Sequence, residues 1–276
     1  HETDSYFVYS RAHYRENDVL RANGALANEI DFYFSTASYR TDEYAVRMIV
    51  TDRDRANADA PLSLDIDASK VLTEQILIAR ELQVASLLFA TASFSNQASA
   101  AAAGQWSLDT TASDPLIFAN TASNVLVRTS GLRPNRVAMG YNPFLSLKRH
   151  QSVSDRIKYT ERSIVSEELI ASLFDVDKVL IGMAAYDAGQ EIQGGASINE
   201  SMTYMWGQSA LWMWVPPSPS LRSPATSYMF ANKGTELLVK KYRDDAREGD
   251  WIEVSSQFDI RVVASLTGFF LSGISA

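Results

Sequence analysis

Three short apolar runs, separated by glycine-rich and proline-rich connections, constrain the fold of this chain more than any other feature. The runs cover residues 179–186, 210–215 and 227–230. The loop after the first run carries Gly194 and Gly195, and a proline-rich turn follows the second run. Short apolar runs bounded by turn residues are typical of buried β-strands. The distal part of the chain is therefore predicted to contain a sheet whose strands are joined by irregular loops.

Near the N-terminus, residues 30–34 and 44–50 alternate between apolar and polar side chains. A period of two predicts strands, and the polar connection at 37–42 predicts that they form one long hairpin over residues 30–56. A lone two-stranded ribbon is marginally stable in water. We therefore expect this hairpin to lie on another surface.

A long helix is predicted after the break at residues 61–67, with Asp67 or Ser69 as its N-cap and its end near Thr91. Its apolar side chains spread round most of its circumference, which predicts burial on more than one side. At about 1.5 Å per residue the helix would be about 37 Å long.

The rest of the chain mixes helix and strand signals without a regular βαβ rhythm, which predicts an α+β fold. Asp114-Pro115 begins a helix that Gly131 ends, whereas residues 95–112 are rich in Ala, Ser and Thr and are predicted to be a loop. Further helices are predicted to begin at Asn142 and Ser166. Further strands are predicted at 136–140, 235–242 and 251–264, the last two separated by a charged turn at 243–250.

Composition excludes several classes of protein. The net charge of -8 and the pI of about 5.0 argue against tight, sequence-independent DNA binding, which needs clustered Lys and Arg. The absence of cysteine excludes disulfides and thiolate metal sites. No apolar run is long enough for a transmembrane helix, and no signal peptide is visible.

No catalytic, metal or cofactor motif was found, so the chain is predicted not to be an enzyme. The GxSxG elbow and the P-loop are both missing, and His1, His13 and His150 are far apart and outside any metal-binding frame. Trp212 and Trp214 could form a sugar-stacking platform, but core filling is the commoner reason for such a pair. A soluble carbohydrate-binding or hydrolytic domain remains the alternative from a different class.

The distal runs carry a resemblance to a known family. The segments KVLIGMAAY (178–186), WGQSALWMWVPP (206–217) and SPATSYMF (223–230) closely resemble the major capsid proteins of tailed bacteriophages, which have the Hong Kong 97-like fold. The segment at 131–159 is also similar to the passage from strand to helix in the inner domain of that family.

The resemblance implies a domain organisation for the whole chain. It implies an N-terminal arm, an extended hairpin loop, a peripheral domain with a long spine helix, and an axial domain. The implied bounds are 1–29 for the arm, 30–56 for the hairpin loop, 57–119 with 231–264 for the peripheral domain, and 120–230 with 265–276 for the axial domain.

The resemblance also implies a function. Copies would self-assemble into pentamers and hexamers that form the icosahedral shell around a double-stranded phage genome, within the virion, after assembly in the host cytoplasm. The implied partners are copies of the chain, a scaffolding protein or segment, a portal and decoration proteins, with packaged DNA touched only by non-specific proximity. The start at His1 would then fit proteolytic head maturation, with a tag or a truncated sequence as the alternatives. A shell protein of an encapsulin-type nanocompartment remains the alternative with the same fold.

Mixed charges on the predicted hairpin are expected to form contacts between subunits, because a mixed run matches a complementary run on another copy better than it matches phosphate. A solvated hairpin face is the alternative. The predicted contact residues, with two glycines of the capsomer loop, are Arg40, Asp42, Glu43, Arg47, Asp52, Arg53, Asp54, Arg55, Gly194 and Gly195.

Two expectations follow for these contacts. Reversing Arg53 and Arg55 to Glu should leave the fold of the monomer unchanged and impair the shell. Some relatives form covalent cross-links from a hairpin lysine, but residues 1–69 contain no lysine. A noncovalent shell is therefore expected.

Overall fold

A computed structural model describes residues 2–9, 16, 19–24, 26–30, 34–59, 62–100, 104–108, 110–157, 165–189, 201–220 and 223–275. The strands are β1 (Thr3–Tyr9), β2 (Phe34–Arg40), β3 (Asp42–Thr51), β4 (Asn96–Ser99), β5 (Arg136–Gly140), β6 (Lys178–Gly182), β7 (Ala185–Asp187), β8 (Met202–Tyr204), β9 (Ala210–Met213), β10 (Ser227–Ala231), β11 (Leu238–Asp244), β12 (Gly249–Val262) and β13 (Gly268–Ser272). The helices are α1 (Asp52–Asn57), α2 (Leu64–Leu88), α3 (Pro115–Ser130), α4 (Tyr141–Arg149), α5 (Gln151–Ile157) and α6 (Glu167–Leu173).

The chain forms two compact units, each assembled from three segments. The first unit contains His1–Ser5, Ser38–Leu87 and Tyr228–Arg261. The second contains Tyr6–Ala37, Leu88–Ser227 and Val262–Ala276.

The two-stranded ribbon of this chain is formed by β1 and β2, not by β2 and β3. The Thr41 N–H donates to the Glu2 carbonyl at 2.9 Å, and the Ser35 hydroxyl donates to the Val8 carbonyl at 3.5 Å, so the two strands run antiparallel. The prediction of one hairpin over residues 30–56 is therefore wrong in its pairing. Residues 3–9, which were predicted to belong to a separate N-terminal arm, supply the other strand of the ribbon.

Strand β3 belongs instead to the four-stranded sheet of the first unit. Its ten residues pair antiparallel with β12, from Thr51 opposite Gly249 to Asp42 opposite Phe258. Strand β11 pairs with the same part of β12 on its other side, and β10 also pairs with β12. The long strand β12 is therefore the central strand of this sheet, because every other strand of the sheet is hydrogen-bonded to it.

Helix α2 covers one face of this sheet with one side only. Ala68, Leu72 and Ile76 recur every fourth residue and are buried with Val50, Ile252 and Val254 of the sheet. On the other side Ile66, Val71 and Leu77 are 54%, 46% and 39% exposed. The prediction of burial on more than one side is thus wrong for this half of the helix within a single chain, since no described segment covers these three apolar side chains.

The second unit is built on a mixed five-stranded sheet in the order β4-β13-β9-β5-β6. Strands β4 and β6 run parallel to their neighbours at the two edges, and the central pairs are antiparallel. Helix α3 has the predicted ends, because the Asp114 carboxylate accepts from the Leu116 N–H and Gly131 takes a left-handed φ of 71°. The hydrophobic core of this second unit includes the fully buried side chains of Trp106, Trp212 and Leu271.

Two local predictions in this unit were wrong. The predicted loop at 95–112 contains β4, which pairs in parallel with β13. The predicted strand 178–186 is broken into β6 and β7, and β6 ends at Gly182, opposite the last residue of its partner β5, Gly140. A Cβ at residue 182 would lie only 2.2 Å from Cγ of Trp206, so the chain needs glycine at this point.

Residues 88–119 lie in the second unit, although the sequence predicted them with the peripheral segments. The reason is long-range packing, since β4 joins the second sheet and Leu116 is buried in its core. The assignment of the first unit to a peripheral domain and of the second to an axial domain stays a prediction.

Candidate functional site

The eight charged residues predicted to make subunit contacts all lie in the first unit, on β2, β3 and α1. The chain turns from β3 into α1 at Thr51, whose hydroxyl oxygen accepts from the Asp54 N–H at 3.1 Å. Asp52 and Asp54 occupy the first turn of this helix, where carboxylates interact favourably with the helix dipole. Four of the predicted residues, at 52–55, are therefore helical and not part of a strand exit.

Two of the predicted residues, Asp52 and Arg55, belong to a cluster of six alternating charges. The guanidinium of Arg55 lies 2.7 Å from Asp65, 2.9 Å from Asp250 and 3.3 Å from Asp52. We call the following residues the charge cluster: Asp52, Arg55, Asp65, Lys241, Arg243 and Asp250.

Lys241 and Arg243 close the cluster from strand β11. The Lys241 Nζ lies 2.5 Å from Asp65 and 3.3 Å from Asp250. The Arg243 guanidinium donates to both carboxylate oxygens of Asp52, at 2.8 and 2.6 Å. Two parallel bonds of this kind are the strong form of an Arg–carboxylate pair. The cluster therefore ties α1 and the first turn of α2 to β11 and β12.

The neighbouring cations keep the three carboxylates ionised. Hydrogen bonds from Lys241 and then from Arg55 lower the pKa of Asp65, and the hydrogen bond from Arg243 lowers the pKa of Asp52. Partial burial acts to raise the pKa of Asp250, but Lys241 and Arg55 more than offset it and the net direction is down. In return, Asp52 raises the pKa of Arg243. At neutral pH the cluster holds three negative and three positive groups.

Arg47 is also engaged within the chain. Its guanidinium donates to the Tyr242 hydroxyl at 3.1 Å and lies 4.4 Å from the centre of the Trp251 ring. The Tyr242 hydroxyl donates in turn to Glu253 at 3.1 Å. These residues are brought together because Arg47 pairs with Glu253, and Trp251 with Tyr242, across adjacent strands. Arg47 therefore helps to order one face of the sheet.

The remaining predicted charges are exposed. Arg40 and Asp42 form a pair at 3.5 Å with side chains 78% and 63% exposed, and Asp54 accepts from the Thr51 hydroxyl at 2.7 Å. Glu43 and Arg53 form no salt bridge with any part of the chain that the structure describes. Among the predicted contact residues, the charges of these two can therefore pair with charges on another copy of the chain.

The expectation that Arg55 could be reversed without effect on the monomer does not fit this geometry. A glutamate at position 55 would place a fourth carboxylate beside Asp52, Asp65 and Asp250. A glutamate at position 53 would not add to this group of carboxylates, because Arg53 forms no salt bridge with the described residues. The subunit-contact role of all the predicted charges stays a prediction, and Gly194 and Gly195 lie outside the described residues.

Sequence reasoning missed the partners that β11, β12 and α2 supply to the cluster. Lys241 follows Asp65 by 176 residues, so no local pattern connects them. The charged segment 243–250 was recognisable in the sequence, and it does contribute Arg243 at the end of β11 and Asp250 at the start of β12. What the sequence could not give is the pairing of β12 with both β3 and β11, which places that segment beside α1.

The other candidates from the sequence have structural roles. Trp212 is fully buried between Phe174 and Phe269, as core filling predicts, so its ring offers no face to a sugar. His150 is 3% exposed, and both of its ring nitrogens face serine hydroxyls. Within the described ranges no group of three or more His, Asp or Glu side chains could hold a metal ion. Nor does any helix there have the length and hydropathy needed to cross a bilayer.

Comparisons with known proteins agree with this architecture. The chain is 22% identical over 267 residues to the major capsid protein of Burkholderia phage BcepMu, a match that covers 95% of this chain and 82% of the relative. A phage-related protein from Bordetella bronchiseptica RB50 has a similar structure, with a TM-score of 0.75 and 20% identity over 98% of this chain and 87% of the other. The capsid structure of cyanophage P-SCSP1u aligns with a TM-score of 0.63 and 11% identity over 100% of this chain and 84% of the other.

No protein-family model matches the chain. The fold class nevertheless follows from the structural matches together with the mixed sheets and helices described above. The predicted α+β, Hong Kong 97-like capsid fold is confirmed. The predicted resemblance to tailed-phage major capsid proteins is confirmed as well, by the sequence match along nearly the whole chain.

Proposed function

We propose that this chain is the major capsid protein of a tailed bacteriophage and acts as a structural tile, not as an enzyme. Copies associate into pentamers and hexamers, and these close into an icosahedral shell around double-stranded DNA. The observation that carries the proposal is the match to a phage major capsid protein over 95% of the chain, in a fold that phage capsid structures share.

Unpartnered surfaces of the monomer support self-association. The ribbon of β1 and β2 is a separate two-stranded sheet, and such a ribbon needs a surface to lie on. Helix α2 exposes the apolar side chains of Ile66, Val71 and Leu77 away from its buried side. A ribbon without a core of its own and exposed apolar side chains both suit burial against a further copy.

Charges available at the surface support a polar seam between copies. Arg53 on α1 and Glu43 on β3 have no salt-bridge partner in the described part of their own chain. A seam that pairs such charges gains only about 0–1 kcal/mol per exposed pair. The gain repeats at every equivalent contact of a closed shell, so small terms accumulate.

The proposal includes partners and a location. A scaffolding protein or segment guides assembly in the host cytoplasm, a portal occupies one vertex, decoration proteins bind the outside, and the finished shell belongs to the virion. The net charge of -8 suits a container wall, because an acidic surface does not hold DNA tightly by its phosphates. Packaged DNA is therefore touched by proximity alone.

Electron microscopy of the expressed chain, with its scaffold supplied, tests the proposal. We expect rings of five and six subunits or closed icosahedral particles. A well-folded species that stays strictly monomeric at high concentration, with scaffold present, would contradict it.

An encapsulin-type shell is the second candidate, because it has the same fold. The sequence match to a phage capsid protein favours the phage shell. Particles that contain a protein cargo in place of DNA would favour the encapsulin.

A further inference from the structure

The ribbon of β1 and β2 joins the sheet of the first unit through three consecutive residues. We call Tyr39, Arg40 and Thr41 the ribbon root, because they connect the end of β2 to the start of β3. All three belong to the first unit. A two-stranded ribbon has little stability of its own in water, so its position depends on the groups that hold the root.

Two of the root residues are held by a ring contact and by backbone bonds. The Tyr39 ring stacks on the Phe230 ring of β10, with the ring centroids 4.1 Å apart and the ring planes 9° apart. Thr41 is buried, and its N–H and its hydroxyl both donate to the Glu2 carbonyl, at 2.9 and 3.2 Å. The root is therefore bound on one side by β10 and on another by the residue that precedes β1.

The third root residue is held by a side chain, at the point where the backbone ladder ends. Strands β3 and β12 pair as far as Asp42 opposite Phe258, and Asp259 is the next residue of β12. Neighbouring N–H groups of an extended chain point to opposite sides, so the Arg40 N–H points away from the carbonyl that binds Thr41. The Asp259 carboxylate accepts from this Arg40 N–H at 3.2 Å. It thus supplies an acceptor beyond the last paired residues of the two strands.

Arg261 orients the carboxylate that makes this bond. Its Nε donates at 2.8 Å to Oδ2 of Asp259, the same oxygen that accepts from the Arg40 N–H. The Asp259 side chain is only 15% exposed. Hydrogen bonds to an ionised acceptor are stronger than bonds between neutral groups, and partial burial strengthens them further. The side chain of Arg40 is 78% exposed, so the root uses the backbone of this residue and leaves its charge at the surface.

We propose that Asp259 is a positioning residue for the ribbon: its carboxylate fixes the ribbon root in the free subunit, before another copy is met. The inference deepens the proposed shell function and rests on it. A ribbon that is already fixed loses less conformational freedom when a further copy covers it, and association is stronger as a result. Asp259 therefore acts on assembly through the ribbon.

Hydrogen exchange of the full-length chain, kept as dissociated subunits, tests the fixed root directly. An amide exchanges when its hydrogen bond opens, so the Arg40 N–H reports on its bond to Asp259. Asp259→Ala should speed this exchange by about tenfold or more, as for the loss of other hydrogen bonds to charged groups. Asp259→Asn retains an acceptor oxygen, and its rate should lie closer to that of the wild type. Amides in the ladder between β3 and β12 should exchange at the wild-type rate in both variants.

Particle formation with the scaffold supplied tests the effect on assembly. Asp259→Ala should lower the particle yield several-fold in electron micrographs, with little change in Tm, and Asp259→Asn should restore most of that yield. Glu236→Ala is the control, because it removes an exposed carboxylate of the same unit that forms no salt bridge with the described residues. It should exchange and assemble as the wild type does.

A second variant covers the case in which Asp259→Ala folds poorly. Tyr39→Leu removes the ring stack on Phe230 and keeps an apolar side chain at the root. Because it loosens the same root from β10, it should speed exchange of the Arg40 N–H and lower the particle yield.

Exchange of the Arg40 N–H at the wild-type rate in Asp259→Ala would overturn the fixed root. Faster exchange together with a wild-type particle yield would overturn its role in assembly. If wild-type subunits form no shells with the scaffold present, the proposed shell function fails instead. The exchange rates of the dissociated subunits then still decide whether Asp259 fixes the root.

Discussion

At the scale of single residues, Arg53 and Arg55 show how two neighbouring arginines acquire different roles. Arg55 is surrounded by Asp52, Asp65 and Asp250, whereas Arg53 has no salt bridge in the described part of the chain. Both lie on α1, so their sequence context is nearly the same. The distinction comes from long-range packing of the helix against the sheet.

We expect Arg55→Glu to unfold the first unit more easily and Arg53→Glu to leave it intact. Reversal at 55 sets like charges together, and a fall of at least about 2–4 °C in Tm should follow, which corresponds to about 1 kcal/mol for a chain of this size class. Circular dichroism melts of the two variants measure the difference.

Arg53→Glu should instead weaken assembled shells, and raised salt should weaken wild-type shells in the same direction through screening. Identical melts for the two variants would remove the structural role assigned to Arg55.

Acid should destabilise the charge cluster. The pKa values of Asp52, Asp65 and Asp250 are lower in the folded protein than in the unfolded chain. Their stabilising contribution is therefore fully present above the unfolded value of about 3.9 and is lost as the pH falls through the lower, folded values. Tm measured between pH 7 and pH 2.5 should fall most steeply below about pH 4.

Asp65→Asn should flatten that acid dependence, because an amide does not titrate in this range. Asp54→Asn is the matched control, since its carboxylate accepts only from Thr51 and joins no salt bridge in the described residues. If the Asp65 variant kept the full acid slope, the cluster would not be its source.

At the scale of elements, local chemistry could be predicted and pairing partners could not. Both ends of α3 could be predicted, from the N-cap and proline at Asp114-Pro115 and from the glycine at 131. These signals are local, since each acts within one turn of the helix. The alternation of apolar and polar side chains predicted that β3 is a strand. A period of two shows which side chains lie on each face of a strand, but it does not show which other strand pairs with it. Helix α1 was missed because its Asp, Arg and Asn residues show no apolar period.

The candidate site was predictable to the same extent. The charged residues of α1 and the charged turn before β12 were both recognisable from composition. Their convergence depends on β12 lying between β3 and β11, a pairing set by burial of Ile252 and Val254 against α2. No signal within one segment specifies it.

The end of β6 should not accept a side chain at Gly182. Gly182→Ala would set a methyl group 2.2 Å from Cγ of Trp206, so the ring or the backbone must move, at a cost of about 1–3 kcal/mol. A double-mutant cycle with Trp206→Ala, measured by chemical denaturation, should show that the two changes are strongly non-additive. Additive losses would mean that the Trp206 ring is not what excludes a side chain there.

At the scale of the whole molecule, the fold leaves surfaces that a single chain does not use. Helix α2 has 25 residues and one well-buried side, and it exposes individual apolar side chains elsewhere. Its half-exposed Val71 and Leu77 have no covering segment among the described residues. A tile that meets other copies accounts for apolar side chains exposed in this way.

Charges at Val71 and Leu77 should separate folding from assembly. We expect the pair Val71→Glu and Leu77→Glu to leave the circular dichroism spectrum unchanged and to reduce particle yield several-fold in electron micrographs. Gln75→Glu, also at an exposed position of α2, is the control and should assemble normally. Normal particles from the doubly charged variant would exclude Val71 and Leu77 from subunit contacts.

The shell should be held by noncovalent contacts alone. The chain has no cysteine, and no lysine precedes Lys70. Mature particles boiled in detergent should run as one band near 30.5 kDa on a denaturing gel. A ladder of dimers to hexamers would show a covalent bond formed by a later lysine.

The pairing of β3 with β12 also determines when, during synthesis of the chain, the first unit can fold. Strand β3 leaves the ribosome about 200 residues before its partner, which takes on the order of 10–40 s at typical bacterial rates. During that interval β3 and the buried side of α2 have no sheet to join. The first unit therefore closes only when nearly the entire chain has been made, and a truncated translation product lacking β12 cannot complete the tile or enter a growing shell.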